Sequence, residues 1–302
     1  MRKVFVLAPG EDWIVDRFVD EFNADNADII VKNPKDADVI WALADWCFNK
    51  LPYEVLGQKK IVTSVHHIVP EKFGPVAADE FRRRDQFTSA YHVYNAETEN
   101  FIRKYTQKPI HLLHYWANDK IWRPTGNKLE LRQKYGIPGS AFVIGSFQRD
   151  TEGAGIHNGV FLPKLEKGPD LLCDAIISMA RQRDDVHVLL AGWRRQYVIS
   201  RLDGKVPFTY IERPSQETVN ELYQTLDLYP CTSRCEGGPQ SLIECGLLGI
   251  PVVSREVGIA SQVLPRSAIN DDVLLASPTI PNVQRWRLPE GYEPYRNMLQ
   301  LV

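Results

Sequence analysis

No apolar run in this chain approaches the roughly 18–20 residues that a membrane-spanning helix needs. The N-terminus, MRKVFVLAPGEDW, carries only about five apolar residues before Pro9-Gly10-Glu11-Asp12, too few for a secretion signal. It reads as a first strand, and the cytoplasm is the expected compartment. Cysteine is scarce: Cys47, Cys173, Cys231, Cys235 and Cys245 form an odd set at scattered spacing, which argues against a disulfide framework. Cys231 and Cys235 lack the second pair or the histidines of a zinc site and read as buried thiols. An excess of one charge is also lacking. The net charge of −2 gives no overall field tuned for nucleic acid, so no nucleic-acid partner is expected. No Gly-x-Gly-x-x-Gly follows a strand, which argues against a nicotinamide enzyme. No internal repeat of about 20–50 residues is visible.

What is present is globular material. A chain of 302 residues, 44% of them hydrophobic, can build roughly two cores of about 150 residues each. Short apolar runs alternate with amphipathic stretches, the pattern of β-α-β winding. In the first half, strands are expected at 4–8, 28–31, 39–42, 61–65, 90–94 and 110–113. Helices are expected at 13–22, 75–87 and 97–105. The polar, aromatic segment from His114 closes with Pro124, Gly126 and Asn127, which places a domain boundary at 125/126. In the second half, strands are expected at 142–146, 186–191, 208–211, 228–229 and 251–254. Helices are expected at 130–135, 169–183, 216–225 and 241–248. The run VHVLLA at 186–191, apolar but for His187, reads as a central parallel strand. The expected architecture is α/β, two Rossmann-like domains facing across a cleft: 1–125, 126–284, and a helix at 285–302 that crosses back to the first. Open α/β sheets bind ligands beyond the carboxyl ends of their strands, which draws attention to Ala8, Val65, Ser146, Ala191 and Tyr229.

The most informative segment is CTSRCEGGPQSLIECGLLGIPVV, from Cys231. A Gly237-Gly238-Pro239 turn runs into a helix. Glycines allow a sharp turn and close backbone approach to a ligand. The first helical turn, with Gln240 and Ser241, leaves N–H groups unpaired, and together with the helix dipole these suit a diphosphate. Glu236 just before the turn can accept from sugar hydroxyls, and Glu244, about one turn in, can reach both hydroxyls of a ribose.

This segment resembles the signature of the family 4 retaining glycosyltransferases, whose fold is called GT-B. Glu236, Gly237, Glu244, Gly249, Pro251, Val252 and Val253 carry the match. The resemblance extends over most of the chain. Arg149, and Lys167 in LEKGPDLLCDAI, resemble the family's Arg and Lys-Gly pair and would neutralise the donor diphosphate as the leaving group forms. Arg149 lies four residues after Gly145, farther than in the family, and the loop that follows it is long. Lys164 competes with Lys167. Backbone groups near Ile211 and Arg213 would meet the nucleobase, and Arg194 and Arg195 could meet phosphate or acceptor. In the first half, His66 resembles a cleft histidine beside the transferred sugar, with His67 as its neighbour. Gly10 would face the donor phosphate, although Glu11 and Asp12 make that loop acidic, and no donor role is given to those two.

The resemblance implies a retaining, metal-independent hexosyltransferase. It would move a hexose or acetamido-hexose from UDP- or GDP-sugar to a hydroxyl of a glycan or lipid-linked acceptor, with no cofactor. A nucleotide-sugar epimerase and a non-catalytic nucleotide-sugar-binding subunit are the alternatives. The Asp36–Asp38 pair precedes a strand and reads as polar lead-in residues, not a metal site. His111 and His114 flank a strand and do not converge on a metal. Arg82, Arg83 and Arg84 with Phe81 and Phe87 read as a solvated helix face, or as a peripheral contact with anionic lipid. Trp286 and Tyr292 are expected as packing anchors of the C-terminal helix. Oligomeric state is not legible.

Overall fold

The computed structural model describes residues 1–11, 14–153 and 159–302. Trp13, at the start of the first expected helix, and Asp12 lie outside the described residues. The chain divides into two compact units, one of residues 1–116 with 288–302, the other of residues 117–287. Each is an α/β unit with parallel strands.

The first unit holds a five-stranded parallel sheet of β1 (Val4–Leu7), β2 (Val39–Ala42), β3 (Lys60–Val65), β4 (Ala90–Val93) and β5 (Ile110–Leu112), in that order. The expected strand at 28–31 is reduced to a single parallel bridge of Ile30 with Val4. Asp28 there is tied to Arg296 by an ion pair of 2.7 Å, which leaves little chain to extend the ladder. Helices α1 (Ile14–Asp25), α2 (Pro75–Phe87) and α3 (Ala96–Ile102) provide the crossovers. Pro at the first position of α2 and the Asn95 side chain accepting from the Thr98 amide at the start of α3 explain where these helices begin. Buried Val65, Phe81, Tyr91, Val93 and Ile102 join sheet to helices.

In the second unit, β6 (Phe142–Ser146), β7 (Val186–Ala191) and β8 (Phe208–Ile211) form one parallel sheet in the order β6-β7-β8. Strands β9 (Tyr229–Cys231) and β10 (Val252–Ser254) form a second parallel pair, and a parallel bridge from Ile144 to Leu228 links the two. All six residues of β7 are buried, and its one polar residue, His187, is bonded to Thr209 Oγ1 at 2.9 Å. The helices are α4 (Lys128–Lys134), α5 (Pro169–Ala180), α6 (Gln196–Leu202), α7 (Gln216–Gln224), α8 (Gln240–Leu248) and the short α9 (Ala260–Val263). Leu172, Cys173 and Ile176 of α5 and Val198 and Leu202 of α6 pack on Ile144, Val186, Val188 and Leu190. At about 1.5–3 kcal/mol for each buried large aliphatic side chain, this cluster is a principal source of the unit's stability. A Gly249 of left-handed φ (72°) ends α8 where the sequence places it.

The expected boundary at 125/126 falls instead between Trp116 and Ala117. The polar composition of this segment misleads, because its backbone is claimed by α7. The Asn220 side chain donates to the Arg123 carbonyl (2.9 Å), and the Thr125 amide donates to Gln224 Oε1 (2.8 Å). Ala117 N–H in turn donates to the Trp286 carbonyl (2.8 Å), so Trp286 stays with the second unit. The chain returns to the first unit at Leu288, and α10 (Glu293–Leu301) lies there. Tyr292 anchors the return, edge-on to Phe22 at 5.4 Å and to Trp116 at 5.0 Å.

One side chain ties the carboxyl edge of the second sheet together. Arg195, fully buried, donates from Nε to Asp150 Oδ2 (2.6 Å), from Nη1 to the carbonyls of Ser146 (2.7 Å) and Ala191 (3.1 Å), and from Nη2 to Ser146 Oγ (2.9 Å). Those bonds use four of its five N–H donors, so Arg195 is a clamp between β6, β7 and α6. The sequence alone had offered it as a ligand-contacting residue. Breaking a buried, hydrogen-bonded ion pair strands the partner charge. Arg195→Met is therefore expected to lower the unfolding free energy by about 3–5 kcal/mol, measured by urea denaturation. A loss below about 1 kcal/mol would mean that the pair is not a structural clamp.

Candidate functional site

The carboxyl edge of the second sheet collects most of the residues singled out by sequence. The chain leaves β6 through Phe147, Gln148 and Arg149, leaves β7 through Gly192, Trp193 and Arg194, leaves β8 through Glu212 and Arg213, and leaves β9 toward Ser233 and Glu236. Lys167 Nζ donates to Glu236 Oε2 at 2.6 Å, and Ser233 Oγ donates to Glu236 Oε1 at 2.9 Å. The pair's lysine and carboxylate are 17% and 12% exposed, so its charges compensate each other in a largely shielded place. Lys164, the competitor, is paired with Glu166 at 2.7 Å. Gln148 Nε2 donates to the Lys167 carbonyl (2.8 Å), which orders the loop after β6 against the same corner.

Lys167 is placed by Gly168. That glycine has φ 61°, and a Cβ there would stand 1.9 Å from the Thr232 carbonyl oxygen. Only glycine permits both the left-handed backbone and the contact. Pro169 then opens α5 at its first position.

Gly237, Gly238 and Pro239 are buried, and Pro239 is the N-cap of α8. No side chain caps this helix, so the first amides, from Gln240 and Ser241, keep their donors at the positive end of the helix dipole. Neither Gly237 nor Gly238 is among the glycines of positive φ, so their turn is made without left-handed backbone. Smallness is what the place demands. Gly258 packs against them so closely that a Cβ on it would meet Pro239 Cδ at 2.9 Å and Gly238 Cα at 3.1 Å.

Glu244 is buried, and its Oε2 accepts from the Tyr223 hydroxyl at 2.7 Å. Burial first, and Glu244 beside it next, push the Tyr223 hydroxyl well above the ordinary tyrosine range, so it stays a donor. Its ring is fixed by Phe147 at 4.7 Å, Tyr229 at 5.6 Å and Trp122 at 5.9 Å. Tyr223 went unnoticed in the sequence because on an amphipathic helix it reads as core. Ser233 was legible in principle, three residues before Glu236 in the quoted segment.

Arg149 is half-buried, and its Nε donates to the Thr151 carbonyl (3.1 Å). Ile211 ends β8, and its carbonyl already accepts the Gly192 amide (3.1 Å), so a base would have to meet the chain beyond it, at Glu212 and Arg213. Cys231 is a buried thiol pushed up to about 12 by desolvation, and burial raises Cys245 as well, in keeping with inert core thiols.

His66 and Gly10 belong to the first unit. The Gly10 and Glu11 amides both donate to the Asp16 carboxylate, at 2.7 and 2.8 Å. His66 Nε2 lies 2.8 Å from the Leu43 carbonyl, which can only accept, so that nitrogen carries the proton and Nδ1 accepts from the Tyr115 hydroxyl (2.7 Å). The ring stacks on Tyr94 at 4.7 Å. Both nitrogens are thus engaged within the unit, a settled histidine as it stands. In the arginine run of α2, Arg82 pairs with Asp79 at 2.5 Å and Arg84 with Asp45 at 2.9 Å, so two of its three charges are compensated. No helix among the described residues is long and apolar enough to cross a membrane.

Comparison with known proteins bears on this arrangement. The family model described as Glycosyl transferases group 1 matches residues 157–280. A lipopolysaccharide core biosynthesis mannosyltransferase, LpsB of Rhizobium meliloti (strain 1021), is 20% identical over 185 residues, 57% of this chain and 48% of the relative. The chain thus spans about half the length of the curated relative it matches. The structure resembles that of HepE from Anabaena in complex with UDP-glucose, with TM-score 0.71, 17% identity, and 91% of this chain and 88% of that one covered. It also resembles sucrose-phosphate synthase from Thermosynechococcus elongatus, with TM-score 0.59, 15% identity, and 86% and 67% covered. The fold is that of the GT-B glycosyltransferases, as the resemblance read from the sequence implied.

Burial lowers the His66 pKa from 6.5 to about 4 and that of His92, whose Nδ1 meets Ser64 Oγ at 2.7 Å, to about 3. Both folded values lie below the unfolded ones, so the stability they contribute is complete above pH 6.5 and is lost as the pH falls toward the folded values. His66 alone is expected to remove about 2 kcal/mol between pH 7.5 and 5. Urea unfolding at the two pH values, in wild type and His66→Asn, checks this. Equal losses in both proteins would mean that His66 is not a buried neutral group.

Proposed function

We propose that this chain is a retaining, metal-independent glycosyltransferase. In this reading it moves a hexose or acetamido-hexose from UDP- or GDP-sugar to a hydroxyl of a glycan or lipid-linked acceptor. The observation that carries the reading is the corner built around α8, a buried Glu244 held by Tyr223, an uncapped helix N-terminus preceded by Gly237-Gly238-Pro239, and Lys167 on Glu236 beside it. Each part suits one part of a nucleotide-sugar. A carboxylate that accepts only is matched to the two hydroxyls of a ribose. Free amides at a helix N-terminus are matched to a diphosphate. Glu236, with its charge compensated by Lys167, offers acceptor oxygens to sugar hydroxyls without an uncompensated negative charge near the diphosphate. The match of the glycosyltransferase family model over 157–280 covers all of these residues, and the UDP-glucose complex of the structurally similar HepE favours UDP among donors.

In the chemistry proposed, the bond from the anomeric carbon to the diphosphate oxygen breaks, and the leaving oxygen's growing charge is met by Arg149 and the α8 amides. The acceptor oxygen attacks the same face. A donor phosphate oxygen takes its proton, so the anomeric configuration is retained and no enzymatic nucleophile is needed. The role of His66 would be to line the sugar side as a neutral imidazole. An epimerase is not favoured by a His66 whose two nitrogens are already engaged.

Thermal unfolding in the presence of chelator, with UDP-, GDP-, ADP- and dTDP-sugars, tests the donor site. One nucleotide is expected to raise the midpoint, since a ligand that binds only the folded state stabilises it. Glu244→Ala should weaken that nucleotide by at least about tenfold. NMR of the product from the nucleotide-sugar so identified should show the donor's anomeric configuration. No shift with any nucleotide would remove the donor reading, a shift abolished by chelator would remove metal independence, and an inverted product would remove retention.

A further inference from the structure

After β2 the chain enters a short 3-10 helix, Asp45–Lys50, at the carboxyl edge of the first sheet. Its second residue, Trp46, ends a column of rings. Trp46 stands 5.5 Å from His66, His66 stands 4.7 Å from Tyr94, and Tyr94 stands 3.8 Å from Tyr115, centroid to centroid. Trp46, His66 and Tyr94 each follow the carboxyl end of one of three neighbouring parallel strands, β2, β3 and β4. Their ring spacings of 5.5 and 4.7 Å are close to the separation of about 4.8 Å between strands, so the sheet itself sets the column. Inward the column is closed, since His66, Tyr94 and Tyr115 are buried. Outward it is open. Trp46 is 46% exposed, and among the described residues it meets no ring besides His66.

Three features set Trp46 apart from a packing residue. Trp41 and Trp116, the other tryptophans described in this unit, are buried and donate from Nε1, to Ser64 Oγ (2.8 Å) and to Glu21 Oε2 (2.6 Å). Trp46 Nε1 donates to no described residue. Trp46 is also alone. Cys47 and Phe48 beside it are buried, and the other exposed residues of the 3-10 helix are the polar Asn49 and Lys50. A single ring in polar surroundings is not the contiguous apolar patch that a hydrocarbon surface would need. The third feature is the residue before it. Asp45 pairs with Arg84 of α2 at 2.9 Å, and Arg84 Nε is buried without a hydrogen-bond partner. A buried orphan donor of this kind is satisfied when a polar ligand reaches it.

We propose that Trp46 is a platform for a pyranose ring of the acceptor, with the Asp45–Arg84 pair next to it in the chain serving the sugar's hydroxyls. A pyranose carries hydroxyls around its rim and C–H groups on its faces. An aromatic face takes those C–H groups out of water, and the indole N–H at its edge can donate to a hydroxyl. A carboxylate paired with a guanidinium offers both an acceptor and donors. The acceptor is assigned because the groups matched above to the donor's ribose and diphosphate belong to the second unit, whereas Trp46 belongs to the first. The proposal rests on the glycosyltransferase reading and narrows its acceptor to one that presents a sugar ring, in place of a bare lipid hydroxyl.

Saturation-transfer difference NMR with the methyl glycosides of glucose, mannose and galactose tests the platform in wild type, Trp46→Ala and Trp46→Phe. It is run with and without the nucleotide that raises the unfolding midpoint. Sorbitol, a polyol with no ring face, is the control. Wild type is expected to transfer saturation to the C–H protons on one face of at least one pyranoside and not to sorbitol. Trp46→Ala should bind that pyranoside at least about tenfold more weakly, and Trp46→Phe, which keeps a ring, should recover part of the loss. Circular dichroism and the ligand-free unfolding midpoint confirm that each variant is folded. Absence of pyranoside binding by wild type under both conditions, or binding by a folded Trp46→Ala equal to wild type, overturns the proposal. Thermal unfolding of Trp46→Ala with the nucleotide and with its nucleotide-sugar separates the substrates. Shifts equal to wild type for both support an acceptor ring. Loss of the nucleotide-sugar's added shift alone would put the donor's sugar on Trp46 and overturn the acceptor assignment. Pyranoside bound through Trp46 by a protein that binds no nucleotide would keep the platform and remove the glycosyltransferase reading. Nucleotide binding without any pyranoside binding would do the reverse.

Discussion

Arg195, buried and hydrogen-bonded to Asp150, Ser146 and Ala191, holds the carboxyl edge of the second sheet in one arrangement. A parallel sheet sends all its strands out at the same edge, so the loops that follow them compete for a small volume. A single guanidinium that bonds the ends of β6 and β7, with its counter-charge on the following loop, resolves that competition. The loop positions of Gln148, Arg149, Trp193 and Arg194 are all referred to it. The cost of burying the pair is offset by satisfying four of the five N–H donors, which makes the arrangement specific.

From that edge the charges are distributed unevenly. Lys167 and Glu236 compensate each other, and Ser233 donates to the same carboxylate. Glu244 accepts from a tyrosine that burial makes a dedicated donor. Arg149, Arg194 and Arg213, in the loops that follow β6, β7 and β8, are in no ion pair among the described residues. A ligand with hydroxyls at one end and phosphates at the other is complementary to such a gradient, and the helix N-terminus at α8 lies within the same corner. Close glycine contacts make this geometry permissible. Gly168 admits the approach of Thr232, and Gly258 admits the turn ahead of α8.

The first unit contrasts with this. Its conspicuous histidines, His66 and His92, are neutral and bonded on both nitrogens within a stack of Tyr94, Tyr115 and Trp41. Their chemistry is used to satisfy a polar aromatic core beneath the carboxyl ends of β3 and β4. The amides of the Gly10 loop are likewise used locally, by Asp16. A residue type suited to catalysis at a strand end is not sufficient for a reactive group, because the same position is where buried polar atoms most need partners.

The sequence by itself determined the α/β class, the order of nearly all strands and helices, and the segment from Glu236 to Glu244, since each depends on local periodicity, on glycine and proline placement, or on short spacing. It also set a glycine directly after Lys167, where the left-handed backbone requires one. Three things needed the tertiary structure. The unit boundary moved to Trp116/Ala117 because the segment after it is bonded to α7, about a hundred residues away in sequence. Arg194 and Arg195, equal neighbours in the sequence, took opposite roles because one side chain turns into the sheet edge toward Asp150 and the other lies on Trp193. Tyr223 became the partner of Glu244 although it sits on a different helix. In each case the deciding interaction joins residues distant along the chain, and a hydrogen bond or ion pair between such residues leaves no periodic trace in the sequence.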